Sequence, residues 1–136
     1  MKSSPSSLGV FVYGTLKPGY ANYAVYCQGK VISSIPAYTF GNLYALPMGY
    51  PAMTAGNNQV HGWLLLFPEA QILASLDRLE GYHPDRLLIN NQYYRASVPV
   101  YDADHQVIAQ AWAYYMTTTR VQSYGGIALN SGYWQG

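Results

Sequence analysis

Residues 8–19 read LGVFVYGTLKPG, an apolar run that ends abruptly in a turn. The run predicts a buried central strand that ends at Tyr13, where Gly14 begins a tight turn. A strand that ends in glycine, followed by Thr15 and Leu16, can present consecutive main-chain N–H groups in a concave arrangement. Such an arrangement suits a carboxylate or a developing oxyanion. The same residues could instead serve only to reverse the chain.

The chain beyond this turn is dominated by strand patterns. Between residues 31 and 67, glycines, prolines and asparagines separate short β-like segments, of which residues 60–67 form the clearest strand. Alternating side chains over residues 93–101 and 107–115 predict two paired strands joined by a turn at residues 102–105. Many strands and few helices favour an α+β fold, namely a small, mostly antiparallel β-barrel with one or two flanking helices. The mouth of such a barrel is the natural ligand site.

One helix is clearly indicated after these strands. Pro68 suits its first position, and we expect it to run to Leu79 or Glu80, with Gly81 as its C-terminal stop. Glu80 falls within the apolar arc of this helix. A carboxylate directed at an apolar interior is costly to ionise, so its pKa should be displaced, as a general acid or base requires. Fraying of the last turn could instead release Glu80 into water. The arc is formed by Ile72, Leu73, Leu76 and Leu79.

The other acidic residues are weaker candidates for catalysis. Glu69 lies where a carboxylate complements the N-terminal dipole of the predicted helix. Asp77 lies outside the apolar arc, and the remaining aspartates follow or form predicted turns. We therefore expect Asp77 and the other aspartates to be solvated or turn-forming groups.

The composition excludes several classes of protein. A chain of 136 residues, half of them hydrophobic and 10% charged, suits one domain with one core. The net charge is +1 and the lysines and arginines are scattered, which argues against nucleic acid as a partner. No apolar run approaches membrane-spanning length, so we expect no membrane partner. Residues 1–7 are too polar for a signal peptide and are predicted to form a flexible leader to a single domain at residues 8–136.

Cysteine and histidine usage predicts a soluble, cytoplasmic protein. Cys27 is the single cysteine, so no intrachain disulfide can form and a reducing compartment fits best. His61, His83 and His105 show no metal-ligand spacing, so no metal is expected. There is no glycine-rich phosphate motif and no nucleophile elbow. We therefore expect no cofactor. The oligomeric state expected is a monomer or weak homodimer.

Several blocks of sequence occur in a characteristic order. They are Val10-Phe11-Val12-Tyr13-Gly14-Thr15-Leu16-Lys17-Pro18-Gly19, Gly41-Asn42-Leu43-Tyr44, Gly49-Tyr50-Pro51-Ala52, Val60-His61-Gly62, Leu76-Asp77-Arg78-Leu79-Glu80-Gly81-Tyr82, Tyr94-Arg95 and Ala111-Trp112-Ala113-Tyr114. Blocks in order are far more specific than any one of them alone. Together they resemble the γ-glutamyl cyclotransferase-like family, which includes γ-glutamylamine cyclotransferases and plant AIG2-like proteins.

The resemblance implies a mixed β-barrel with flanking helices and an enzyme that acts on a small γ-glutamyl compound. The implied reaction releases 5-oxoproline and a free amine or amino acid. The catalytic glutamate of the family falls on Glu80, which the helical projection marks independently. The family's substrate-binding turn falls on Tyr13, Gly14, Thr15 and Leu16.

Tyr82 and Tyr94 are further candidates for lining the substrate pocket. Arg95 adjoins Tyr94 on a predicted strand, so at most one of these two side chains can point into a common cavity. Structural packing is the alternative role for each. Two alternatives to the expected enzyme stay open: a binding module of the same fold without catalysis, and an enzyme that removes a γ-glutamyl protecting group within a biosynthetic pathway.

Overall fold

The computed structural model describes residues 8–135, so the predicted leader at residues 1–7 lies outside the described residues. The strands are β1 (Leu8–Val12), β2 (Ser33–Ala45), β3 (Pro51–Phe67), β4 (Tyr94–Tyr101), β5 (Val107–Tyr115) and β6 (Ile127–Ala128). The helices are α1 (Ala21–Tyr26), α2 (Ile72–Leu79) and α3 (Thr118–Tyr124), with a 3₁₀ turn at Leu88–Asn90.

The strands form a closed, mixed β-barrel. Their order is β3-β1-β5-β4-β2-β6, and β2 also pairs with β3, so the first five strands of this order form a ring and β6 extends β2. The β1–β5 pair is parallel, with Val10 opposite Trp112. The other pairs are antiparallel. This confirms the predicted barrel, which is mixed and mostly antiparallel.

The predicted hairpin late in the chain is present as β4 and β5, which pair along their whole lengths. Asp102 closes its turn: the Oδ1 atom accepts hydrogen bonds from the main-chain N–H groups of Asp104 at 2.9 Å and Gln106 at 3.1 Å. A short acidic side chain that bonds to its own backbone in this way is typical of turns. Asp102 therefore has the turn-forming role expected of it.

The region expected to contain several short strands forms one long hairpin instead. β2 has 13 residues and β3 has 17, joined by the turn after Ala45. The register shifts between Gly41, opposite Asn58, and Asn42, opposite Thr54, so the intervening residues of β3 bulge out of the ladder. Of the residues that suggested a strand boundary, Asn57 therefore lies in a bulge within β3, and Gly41 of β2 and Asn58 of β3 pair at its edge.

Helix α2 begins later than predicted and ends where predicted. It starts at Ile72 rather than Pro68, because the four residues from Pro68 onward form a bend and a turn. Glu80 is the C-terminal cap, and Gly81 follows with φ of +67°, a left-handed conformation that favours glycine. The buried residues Ile72 and Leu76 fix the helix against the barrel.

Helix α3 was not predicted from the sequence. Thr117 caps its N terminus, where the side chain accepts a hydrogen bond from the Arg120 N–H at 3.2 Å. Gly125 ends the helix with φ of +77°. The capping threonine and the terminal glycine were local markers of a helix. The weak apolar pattern between them concealed it, since Val121 is the buried residue of this helix.

Strand β1 lies between two apolar clusters. Val10 and Val12 pack in the cluster that includes Leu76 of α2, whereas Phe11 and Tyr13 pack in a second cluster on the other face. Successive side chains of a strand point to opposite faces, so a strand buried on both faces is apolar throughout. The predicted buried strand is confirmed, and it directs its C-terminal turn toward α2.

No helix within residues 8–135 combines the length and the apolar character needed to cross a membrane.

Candidate active site

A cavity of about 260 Å³ lies where the turn after β1 meets the end of α2. The two features singled out in the sequence, the Tyr13–Leu16 turn and Glu80, both line it. Aromatic side chains from distant parts of the chain form much of the remaining wall: Phe11, Tyr50, Tyr93 and Tyr114. Smaller contributions come from Val12, Asn22, Pro51 and Leu79. The fold therefore brings together residues that are separated by most of the sequence.

The main chain at Glu80 is held on both sides. Its N–H donates to the Leu76 carbonyl at 2.9 Å, and its carbonyl accepts from the Tyr93 N–H at 3.2 Å. The next peptide is paired as well, because the Gln92 N–H donates to the Gly81 carbonyl at 3.1 Å. The last turn of α2 is thus bonded to the segment that precedes β4, and Glu80 lines the cavity instead of fraying into solvent.

The environment of the Glu80 carboxyl makes its charge costly. The residue as a whole is partly exposed, yet burial of its carboxyl raises the pKa from 4.5 to about 7. Within residues 8–135 no lysine, arginine or histidine forms an ion pair with it; the ion pairs there are those of Asp77 with Arg95 and of Asp85 with His83. A carboxyl with a pKa near neutrality can both take and return a proton at physiological pH.

The turn after β1 offers free main-chain donors to the cavity. Within the described residues, the N–H groups of Gly14, Thr15 and Leu16 make no hydrogen bond, whereas the Lys17 N–H closes the turn on the Gly14 carbonyl at 3.0 Å. Asn22 in α1 donates from Nδ2 to Thr15 Oγ1 at 2.7 Å, which ties the turn to α1. Consecutive N–H groups without partners are typical of anion-binding turns.

Gly14 is required by close packing. A Cβ atom at this position would lie 2.7 Å from Cγ of Pro51, in a rigid ring that also lines the cavity. Any larger residue would push the turn and Pro51 apart. The glycine therefore allows the turn and Pro51 to pack in direct contact beside the cavity.

Tyr13 contributes its main chain to the turn, while its side chain is structural. Its hydroxyl donates to the Tyr114 carbonyl at 2.7 Å and accepts from the Met53 N–H at 3.1 Å. Burial raises the pKa of this phenol well above its ordinary value, so the hydroxyl stays protonated. The two bonds tie β1 to β5 and β3 directly beside the cavity.

Tyr82 and Tyr94, predicted to line the pocket, lie outside this cavity. The Tyr82 ring stacks on the Arg95 guanidinium, 5.3 Å from ring centroid to Cζ. Tyr94 faces the other way and stacks on Tyr115 at a centroid distance of 5.8 Å. The alternative role of structural packing therefore describes both side chains. As the alternation along the strand requires, Tyr94 and Arg95 point in opposite directions.

Asp77 is a structural residue rather than the solvated group expected from the sequence. Its side chain is only 14% exposed, and it accepts hydrogen bonds from Arg95 Nε at 2.9 Å and from the Tyr114 hydroxyl at 2.6 Å. Asp77 lies outside the apolar arc of α2, yet β4 and β5 cover that side of the helix. The aspartate thereby orients the side chain of Tyr114, which lines the cavity.

Cys27 is a buried packing residue. It has no exposed surface, and burial raises the pKa of its thiol to about 11. A thiol that stays protonated is a poor nucleophile. Among the described residues, no group of three or more histidine, cysteine, aspartate or glutamate side chains is placed to bind a metal ion.

Eight cavity residues were not proposed as site residues from the sequence, and four of them carry polar side chains: Asn22, Tyr50, Tyr93 and Tyr114. Tyr50 and Tyr114 do fall within the ordered blocks, but nothing in a strand or turn pattern shows that they face the same cavity. Tyr93 is held beside the cavity by the bond of its main-chain N–H to the Glu80 carbonyl, a contact that no local pattern predicts.

Comparison with known proteins identifies the family. A family profile described as gamma-glutamyl cyclotransferase, AIG2-like, matches residues 10–136. A Vibrio cholerae protein provisionally named as a gamma-glutamylcyclotransferase is 31% identical over 103 residues, covering 72% of this chain and 85% of that protein. The chain belongs to the gamma-glutamyl cyclotransferase, AIG2-like family.

Solved structures share the barrel. An AIG2-like protein from Mus musculus has a TM-score of 0.68 at 20% identity, with 96% of this chain and 89% of that chain covered. YkqA from Bacillus subtilis has a TM-score of 0.63 at 23% identity. The match covers 95% of this chain but only 39% of YkqA, so the chain spans less than half of that protein. Both likenesses confirm the fold.

Proposed function

We propose that this protein is a cyclotransferase that releases 5-oxoproline and a free amine from a γ-glutamyl compound, with Glu80 as general base and acid. One observation carries the proposal: a carboxyl group with a pKa of about 7 shares a cavity with the unpaired N–H groups of Gly14, Thr15 and Leu16. Family membership supports the same class of reaction.

The first chemical step requires a base. The α-amino group of the substrate is an ammonium at neutral pH and cannot attack until it loses a proton. Ionised Glu80 removes that proton, and the nitrogen attacks the γ-carbonyl carbon to close a five-membered ring. Glu80 gives this proton to the leaving nitrogen, and the C–N bond breaks. The ring nitrogen still carries one proton too many, which Glu80 transfers to the departing amine in the same way, so that the products are 5-oxoproline and an ammonium. Atoms and charge balance without water, metal or a second substrate.

The turn supplies binding and electrostatic stabilisation. Its N–H groups hold the α-carboxylate of the substrate or the oxyanion that develops on the γ-carbonyl, so the flexible glutamyl chain is kept folded. Because nucleophile and electrophile belong to one molecule, holding this folded shape is a large part of the work of catalysis. The apolar and aromatic walls exclude water and strengthen these interactions.

The lining also bears on the leaving amine. None of the described residues that line the cavity is lysine, arginine or histidine. A γ-glutamyl amino acid, or glutathione, carries a further carboxylate on its leaving group, and that charge would find no cationic partner on these walls. This absence of positive charge favours γ-glutamyl amines whose leaving group has no carboxylate.

A substrate panel tests the proposal. Purified protein is offered γ-glutamyl amines, γ-glutamyl amino acids and glutathione, and 5-oxoproline is measured by mass spectrometry, with the Glu80→Gln variant alongside. We expect product from the amines first. Binding of these compounds without formation of any 5-oxoproline would show that the protein is a binding module and not a cyclotransferase. Preference for a large γ-glutamyl amide over all small ones would favour the deprotection of a biosynthetic product.

The rate is expected to rise with pH through neutrality. The free enzyme needs Glu80 ionised, and burial raises its pKa to about 7, so kcat/KM should increase about tenfold per pH unit below that value and level off above it. Initial rates between pH 5 and 9 at low substrate concentration measure this dependence. A rise in kcat/KM centred near pH 4.5, the ordinary pKa of a glutamate, would show that the carboxyl group with the raised pKa is not the base.

A further inference from the structure

Four tyrosines line the cavity. The hydroxyl groups of three of them donate hydrogen bonds to oxygen atoms of the protein. Tyr13 donates to the Tyr114 carbonyl at 2.7 Å, and Tyr93 donates to the Pro51 carbonyl at 2.7 Å. The Tyr114 hydroxyl donates to Asp77 Oδ1 at 2.6 Å. A phenol has a single hydrogen to donate, so none of these three can donate to a ligand without breaking a buried bond.

Tyr50 is the fourth, and its hydroxyl takes part in a chain of hydrogen bonds that begins on α3. Arg120 Nη1 donates to the Tyr124 hydroxyl at 3.0 Å. The Tyr124 hydroxyl donates to Gln92 Oε1 at 3.3 Å, and Gln92 Nε2 donates to the Tyr50 hydroxyl oxygen at 3.1 Å. The chain ends there, at the wall of the cavity.

The direction of this chain follows from its first member. A guanidinium can only donate, so the Tyr124 oxygen must accept from Arg120. Its own hydrogen then goes to Gln92 Oε1, which orients the amide and turns its NH₂ group toward Tyr50. The opposite amide orientation would give the Tyr124 oxygen two donors and leave its hydrogen without an acceptor. The Tyr50 oxygen is therefore an acceptor toward Gln92, and its hydrogen has no acceptor among the described residues.

We infer that the Tyr50 hydroxyl donates a hydrogen bond to an oxygen of the bound γ-glutamyl group. The role rests on the proposed function, and it gives the cavity a side-chain donor besides the main-chain donors of the turn. The donor is strengthened because each bond of the chain from Arg120 polarises the next in a medium of low dielectric constant. Gln92 and Tyr124 are positioning residues that act through Tyr50.

Replacing Tyr50 tests the donor directly. Tyr50→Phe keeps the ring and removes the hydroxyl, and we expect kcat/KM to fall by about 100- to 1000-fold, the range for loss of one oxyanion-hole donor. A fall in kcat places the donor on the γ-carbonyl oxygen, and a rise in KM places it on the α-carboxylate. Tyr101→Phe is the matched control, because Tyr101 lies outside this cavity and stacks on Tyr38 at 5.1 Å. It should behave as wild type.

Gln92→Glu tests the direction of the chain. The near-isosteric carboxylate accepts where the amide donated, so the Tyr50 hydrogen should turn away from the cavity toward residue 92. We expect a loss similar to that of Tyr50→Phe and little further loss in the double variant, since both changes remove the same donor. Thermal unfolding of each variant separates this effect from misfolding.

The outcomes distinguish the two proposals. If wild-type protein makes no 5-oxoproline from any member of the panel, the proposed function fails and the role of Tyr50 fails with it. If wild-type protein is active and folded Tyr50→Phe retains its kcat and KM, the cyclotransferase stands and the inference about Tyr50 is wrong. Fully additive losses in the double variant would also contradict the shared donor.

Discussion

Glu80→Gln is expected to lower kcat/KM by about a hundredfold to ten-thousandfold, the usual contribution of a positioned acid or base. Glutamine keeps the length and shape of the side chain, and the main-chain bonds of residue 80 to Leu76 and Tyr93 do not involve the carboxyl group. Loss of activity would therefore reflect loss of proton transfer. Near-normal turnover in the variant would exclude Glu80 as the proton-transfer group.

The same substitution is expected to change stability in a pH-dependent way. The carboxyl ionises at about pH 7 in the folded protein and at 4.5 when unperturbed. Below pH 4.5 it is protonated in both states and burial costs little; above pH 7 it is ionised in both and the folded state bears the full penalty. Wild-type protein should therefore lose about 3 kcal/mol relative to the variant as pH rises through this window.

Denaturant unfolding of the two proteins at pH 4.5 and pH 8 measures this difference. Glu69→Gln is the matched control, because Glu69 is exposed and lies before α2, outside the cavity. It should change neither the rate nor the pH dependence of stability. A Glu80→Gln protein whose stability follows that of wild type at both pH values would show that the carboxyl is fully solvated.

Gly62→Ala is expected to be the most destabilising small substitution in the barrel. A Cβ atom at residue 62 would lie 2.0 Å from the main-chain oxygen of Val12, and neither strand can yield without breaking the β1–β3 ladder. Overpacking against main chain should cost about 3 kcal/mol or more, out of a total stability on the order of 5–15 kcal/mol. Activity should fall too, because Val12 leads directly into the cavity turn.

Gly9→Ala is the control for this prediction, since both glycines lie in the paired β1 and β3 strands. At residue 9 the nearest atoms to a new Cβ are side-chain carbons of Ala111 and Leu64 at 3.2 Å, which can shift by a few tenths of an ångström. We expect a cost of about 1 kcal/mol. Equal melting temperatures for the two variants would mean that the strands separate more easily than their geometry indicates.

Local pattern was a good guide wherever neighbours in sequence make the structure. The run that ends at Tyr13 predicted a buried strand and its turn, and the apolar arc of α2 placed Glu80 toward the interior. Both are confirmed, because strand alternation and helical periodicity depend on residues a few positions apart. The hairpin of β4 and β5 was predicted for the same reason.

Local pattern failed where distant segments decide the environment. The helical projection predicted a solvated Asp77, yet its carboxylate accepts hydrogen bonds from Arg95 and Tyr114. Gly41 and the pair Asn57-Asn58 suggested strand boundaries, yet β2 and β3 both continue past them, with a bulge in β3. Helix α3 has capping residues but little apolar periodicity, so its stability depends on packing that the sequence alone does not show.

By itself, the sequence determined the barrel class, the cavity turn and the position of the acid on its helix, since these follow from periodicity and from residues that tolerate few backbone conformations. Only the tertiary structure decided what surrounds the acid and which hydroxyl is free to donate. The Tyr13 hydroxyl donates to a carbonyl 101 residues away. The Tyr50 hydroxyl is oriented by a hydrogen bond from Gln92, 42 residues later in the chain. Such bonds form only when the barrel closes, because closure alone brings those segments within hydrogen-bonding distance.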